Sequence, residues 1–347
     1  MSSDSAVQRL TPSARVSTRV QGGMSMAIGS LPHLSIANAL VLSRTATDIV
    51  TIPTLPKRSP AESMIAQALV GLSGVTVGQY GSIAVDVASI DPLSPVRTDL
   101  EHDAFASFRG FLAEAGDFAG PVKWQFVGPI TLGLALQRAG VPASTAFDVA
   151  VRAVRSHVQH LLDAVSAAMP GCEQIVVLDE PEFDAVMEPG FALAPDVAVD
   201  LLSGALAVIE PVAVAGVHCC SDADWSSLIA AGPTLLSLPV HASLADSAGY
   251  LQRFLDSGGW IAWGAVPTDG PVPMSAERPW KQLCALWCQL VQRGCDPSLL
   301  RQQSLITPRC GLGMHSSVVA ERVLRINSEL SRRVRDQAAA TRFAFGA

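Results

Sequence analysis

Short, almost unbroken apolar runs recur along the chain, and each is followed by a stretch with helical spacing. The runs are 24–30 (MSMAIGS), 49–54 (IVTIPT), 122–128 (VKWQFVG), 174–179 (QIVVLD), 212–220 (VAVAGVHCC), 234–240 (TLLSLPV), 260–266 (WIAWGAV) and 304–309 (SLITPR). Near-continuous apolar strands alternating with helices imply parallel strands buried on both faces. Eight such units predict a closed barrel over an open sheet. The helices carry their own signals. Phe147, Val151, Val154, Val158, Leu161 and Val165 fall at helical spacing behind Ser144, a candidate cap. Ser59, Pro60 and Glu62 have the order of a capping box, which predicts a helix over 61–72. Two short β runs around Gly78 and Gly81 predict a hairpin over 74–86, lying across one end of the barrel. No internal repeat, linker or charge run divides the chain. The expected fold is α/β: a single (β/α)8 TIM barrel over residues 23–347, preceded by a flexible tail over residues 1–22.

Composition narrows the function. Of 347 residues, 49% are hydrophobic and 16% charged, enough to build one large dry core and to exclude a disordered chain. Lys and Arg number 24 against 31 Asp and Glu, a net charge of −7, and no basic cluster is present. A nucleic-acid partner is therefore not expected. No uncharged apolar run is long enough to span a membrane, and the first 22 residues lack the apolar stretch of a secretory signal. Seven cysteines, an odd number without a signal, fit a reducing cytoplasm better than a disulfide framework.

In such barrels the chemistry sits at the C-terminal ends of the strands. His218, Cys219 and Cys220 end the fifth run and give the sharpest local signal. Side chains alternate along a strand, so His218 and Cys220 share one side and Cys219 takes the other. A histidine and a thiolate two residues apart make a compact clamp for a borderline-soft metal, above all zinc. Cys310, after the last run, can close on them across the mouth. Three protein ligands with an open fourth position describe a catalytic zinc. The plainer alternative is a core histidine beside small buried thiols, the class assigned to Cys172, Cys284, Cys288 and Cys295. Asp179 and Glu180 end an apolar strand, where a carboxylate either pairs structurally or receives a cationic substrate group. Gly29 and Ser30 can hold a carboxylate. Arg44, Lys57 and Arg58 read as solvated surface and Trp124 as core.

These residues form a pattern that resembles the catalytic C-terminal barrel of cobalamin-independent methionine synthase. Its superfamily also holds uroporphyrinogen decarboxylase and the corrinoid-linked thiol methyltransferases. The resemblance spans about 24–333. It rests on Ile28-Gly29-Ser30, on the FVGPITL run over 126–132, on Leu178-Asp179-Glu180-Pro181, on His218 with Cys220, and on Pro308-Arg309-Cys310-Gly311-Leu312. It implies that His218, Cys220 and Cys310 bind Zn2+. It also implies that Ile28, Gly29, Ser30 and Asp179 hold the amino-acid end of homocysteine, and that the methyl donor is a folate or a corrinoid protein.

Three departures qualify the resemblance. The family often places a Glu zinc ligand at the end of strand six, where this chain has Leu238-Pro239-Val240; proline cannot ligate, so the site would have two thiolates and one His unless His241 swings in. The folate-using enzymes place a proton-donating His after strand seven. Here that stretch is Val266-Pro267-Thr268-Asp269-Gly270, which makes Asp269 the candidate catalytic group there. A counterpart of the synthase's N-terminal half, which helps to grip polyglutamyl folate, is also missing. The acceptor side thus looks intact and the donor side does not, which tilts the donor away from folate. The expected activity is zinc-dependent methyl transfer to a thiol. The rivals are a uroporphyrinogen decarboxylase-type lyase, for which no Arg cluster is offered, and a non-catalytic zinc-binding relative.

Overall fold

Seven of the eight apolar runs form strands of one curled parallel sheet in the computed structural model, which describes residues 19–78 and 81–344. In chain order the strands are β1 (Val50–Thr51), the hairpin pair β2 (Val75–Val77) and β3 (Ile83–Val85), β4 (Pro121–Val127), β5 (Glu173–Asp179), β6 (Val214–His218), β7 (Leu235–Pro239), β8 (Trp260–Val266) and β9 (Ser304–Pro308). The sheet order is β1-β4-β5-β6-β7-β8-β9, with every pairing parallel. Eleven α-helices accompany the strands among the described residues. None is long and apolar enough to cross a membrane.

The expected eighth strand is missing as a strand. Residues 24–30 are irregular and touch the two edges through single parallel bridges, Ser25 to Ile306 on β9 and Ser30 to Thr54 beyond β1. The physical reason is that side chains take several of its backbone groups. Ser25 N donates to Asp48 Oδ2 (2.8 Å), and Ala27 N donates to Thr51 Oγ1 (3.3 Å). Of the expected tail, residues 1–18 lie outside the described residues. Val20 is buried among the inner core residues, and Gly22 has no room for a Cβ against the carbonyls of Arg301 and Gln302.

Alternation along the strands divides the core in two. Ile175, Val177, Val214, Leu235, Ala262 and Leu305 point into the curl, around Met26 and Ile49. Val176, Leu178, Ala215, Val217 and Cys219 point outward to the helices. Burying each such large aliphatic side chain contributes about 1.5–3 kcal/mol. The helix Ala143–Ala168 covers the outer face with the stripe Phe147, Val154, Val158, Leu161 and Val165, as its spacing predicts, while Val151 of the expected stripe is only partly buried. Its cap position is Pro142, not Ser144.

Two local expectations change. The helix expected over 61–72 is a 3-10 turn, Pro60–Glu62, followed by the short helix Met64–Ala68. Ser59 Oγ does accept from Ala61 N (3.3 Å), but Glu62 does not close a capping box. Its carboxylate is buried and accepts from Leu55 N (2.7 Å), Ser107 Oγ (2.9 Å) and the Arg58 guanidinium (2.6 and 2.8 Å). Arg58 is thus a rim strut and not solvated surface. The hairpin forms with Val75 opposite Val85 and Val77 opposite Ile83; Gln79 and Tyr80 at its tip lie outside the described residues.

Candidate metal centre

The register of β5, β6 and β9 brings the chemical groups together. Asp179 lies opposite His218 across the β5–β6 ladder, and both point into the curl. Cys220 follows two residues past His218 and keeps its side, while Cys219 Sγ lies outward, 4.0 Å from the Pro181 carbonyl. Cys310 stands two residues beyond the end of β9. The ligand atoms of His218, Cys220 and Cys310 all lie within 4.8 Å of one another. Arg309 ties these strand ends together. Its backbone N donates to Val266 O (2.9 Å), its Nε to Cys220 O (3.1 Å) and its Nη1 to Asp269 Oδ2 (2.8 Å).

His218 is 4% exposed, and its two nitrogens differ. Nδ1 is 2.8 Å from Ser237 Oγ on β7, whereas Nε2 is buried with no hydrogen-bond partner. An orphaned buried nitrogen costs about 1–3 kcal/mol unless something binds it. A metal-bound imidazole characteristically uses one nitrogen for the ion and the other for an orienting hydrogen bond. The thiols are asymmetric too. Contact with Cys310, then with the His218 ring, pushes Cys220 down to about 4, while Cys220 and burial push Cys310 up. The asymmetry favours Cys220 over Cys310 as the sulfur that gives up its proton first. Two sulfurs and one imidazole nitrogen with an open side are the donor set of a catalytic zinc.

A cavity of about 230 Å3 opens on these three groups. Ile28, Ser30 and Asp179 line it on one side, and Met64, Phe126 and Pro181 contribute apolar wall. Asp179 Oδ1 is buried without a partner. Burial pushes this carboxyl up, against the charges of His218 and Lys123. Ser30 Oγ accepts from Gly313 N (3.2 Å), and Ser30 O accepts from Leu312 N (2.9 Å), so its own O–H remains free to donate. Gly29 is behind the cavity wall. Its φ is +145°, its carbonyl accepts from Thr54 N (3.3 Å), and a Cβ there would overlap the Gln125 amide.

Not every expected residue joins the site. Asp269 is absent from the cavity wall; its side chain is 64% exposed and pairs with Arg309. His241 is exposed at the rim, 2.7 Å from Ser243 Oγ and 3.9 Å from Asp222. Pro239 closes β7 and offers no ligand. Glu180 faces the other way from Asp179. It accepts from Ile130 N, Thr131 N and Thr131 Oγ1 (2.8, 2.8 and 2.6 Å) at the start of the helix Pro129–Arg138, where a helix favours negative charge. Burial still pushes it up to about 7. Sequence reasoning missed Lys123, which is 1% exposed inside β4 and held down to about 8 by burial, against the attraction of Asp179. Its signal was available: Lys123 and Gln125 are the polar residues, two apart, in an otherwise apolar strand.

No family model matches the chain, and no curated protein matches it in sequence. Among solved structures, the fold resembles a "Putative Vitamin-B12 Independent Methionine Synthase" from Listeria monocytogenes. The TM-score is 0.58 and the identity 14%, over 86% of this chain and 85% of that one. At that identity the likeness concerns the fold.

Proposed function

We propose that this chain is a zinc-dependent methyltransferase that moves a methyl group to a thiol, with homocysteine as the acceptor. The observation that carries the reading is the buried, unpartnered His218 Nε2 facing two cysteine sulfurs at the end of a curled parallel sheet. The fold likeness supports the same reading. In it, the segment 24–30 takes the eighth place of a (β/α)8 barrel, and the molecule works in the reducing cytoplasm that its free thiols suit.

Zinc, when bound, supplies a Lewis acid that keeps an entering thiol deprotonated, worth about 2.7 kcal/mol for a lowering of ~2 pH units. The chain's own residues do the rest. Ser237 fixes the His218 ring so that Nε2 points at the sulfurs. Asp179 offers an unpartnered oxygen to the acceptor's ammonium. Ser30 donates its hydroxyl to the acceptor's carboxylate. Phe126, Val127 and Met64 keep water from the nucleophile. Asp269 acts through Arg309 at the rim and not on the reacting atoms. The methyl donor is a folate or a methyl-corrinoid, the latter favoured because no protonating His follows β8. A decarboxylase of the uroporphyrinogen type needs cationic side chains, and the described cavity wall contains no Arg.

Zinc quantitation, followed by an X-ray absorption spectrum with and without homocysteine, tests the proposal. One zinc per chain with two sulfur neighbours, rising to three on addition of homocysteine, is the expected result. Sub-stoichiometric zinc, or an unchanged sulfur shell, would refute it.

A further inference from the structure

The segment between the two sheet edges makes ladder hydrogen bonds near its two ends, Thr54 N to the Gly29 carbonyl among them, but not at Ala27 N or the Ile28 carbonyl. At its start, Met26 N donates to Ile306 O, and Ile306 N donates to Met24 O, both at 2.9 Å. At its end, Leu31 N donates to Thr54 O at 2.9 Å. In the middle, side chains replace the ladder: Thr51 Oγ1 accepts from Ala27 N, and the Lys123 ammonium donates to the Ile28 carbonyl. Lys123 Nζ also donates to Gln125 Oε1 at 2.9 Å. The Gln125 amide occupies the volume that a Cβ on Gly29 would fill. Lys123 and Gly29 therefore interlock with Gln125 behind Ile28 and Ser30; Gln125, Ile28 and Ser30 line the cavity.

A fully buried ammonium is costly, so its retention calls for specific partners. Its hydrogen-bond partners are the two neutral oxygens just named, and Asp179 acts on it only through its field. These are the groups on either side of the acceptor in the reading above: the segment that would hold its carboxylate and the carboxylate that would hold its ammonium.

We propose that Lys123 is a positioning residue for the acceptor clamp, a buried cationic peg that fixes the 28–30 segment from behind. The description of 28–30 and Asp179 as an acceptor clamp rests on the proposed function; the peg itself does not. The full-length chain with Lys123→Met, and separately with Lys123→Gln, separates the two. Amide exchange at Met26 and Leu31 should accelerate roughly 10- to 100-fold in Lys123→Met, as loss of one charge-assisted hydrogen bond implies, and less in Lys123→Gln, which keeps a donor. Amides of β5 and β6 should exchange as before, and zinc content should not change. Homocysteine titrated into the zinc-loaded variant should bind more weakly by a similar factor. Unchanged exchange at Met26 and Leu31, or equal acceleration throughout β5 and β6, would overturn the proposal. If the unaltered protein fails to bind homocysteine, the proposed function falls, while the exchange rates still decide the role of Lys123.

Discussion

Ser237 leaves His218 one way to face. With Nδ1 engaged, Nε2 is the nitrogen available to an ion, and Ser237→Ala should weaken zinc binding roughly 10- to 100-fold, measured by competition with a chromophoric chelator. An unaltered zinc affinity would show that the ring is held by packing alone. Asp179 is the second decisive residue. An isolated buried carboxylate is costly; Asp179 lines the cavity, and its buried Oδ1 has no partner. Asp179→Asn keeps the shape and removes the charge, so homocysteine affinity should fall roughly 10- to 100-fold by calorimetry while zinc stays bound. Equal affinities would mean that the amine binds elsewhere. At this scale the sequence was legible where parity decides: two residues of separation put His218 and Cys220 on one side of a strand, and one residue puts Cys219 on the other. Lys123 and Arg309 were harder to read, because their partners are backbone carbonyls 95 and 89 residues away.

Elements set the stage through the junction of β4, β5 and the helix Pro129–Arg138. The Asp179–Glu180 pair divides its labour by parity, with one carboxylate serving the cavity and the other anchoring the helix start. Glu180 carries a pH signature. Burial raises it from 4.5 to about 7, so the fold prefers the neutral acid. That contribution is complete below the unfolded value and is lost as pH rises through about 7. The stability of the protein relative to its Glu180→Gln variant should therefore decline between pH 4.5 and 7, by at most about 3 kcal/mol, in urea unfolding at several pH values. A pH-independent difference would disprove it. The strands β4 to β9 were legible because near-continuous apolar runs have few alternatives. The run over 24–30 has the same composition but not the same structure, since Asp48, Thr51 and Lys123 satisfy backbone groups that a ladder would otherwise pair. The helix expected after Ser59 fails for a similar reason: Glu62 turns back to Leu55 and Arg58.

The whole molecule is held together mainly by two apolar layers, one inside the curl and one beneath the helices, and neither depends on an ion. Stripping zinc with a chelator should leave far-ultraviolet circular dichroism unchanged. It should lower the melting temperature by several degrees, since a ligand present at roughly a hundredfold over its Kd adds about 2.7 kcal/mol. Loss of secondary structure on chelation would show instead that the ion is part of the fold. The architecture also joins sites that look separate. Gly311 leaves no space for a Cβ beside the Ser30 hydroxyl, Gly313 leaves none beside Pro56, and Gly313 N donates to the Ser30 hydroxyl, so the loop after Cys310 packs directly on the first wall of the cavity. A ligand that pulls on Ser30 therefore pulls on the loop that carries Cys310. Linkage is reciprocal: whatever factor an acceptor gains from the metal, the metal gains from the acceptor. Such a protein would hold its ion most tightly while occupied by substrate and most loosely between turnovers, which makes metal retention a function of acceptor supply.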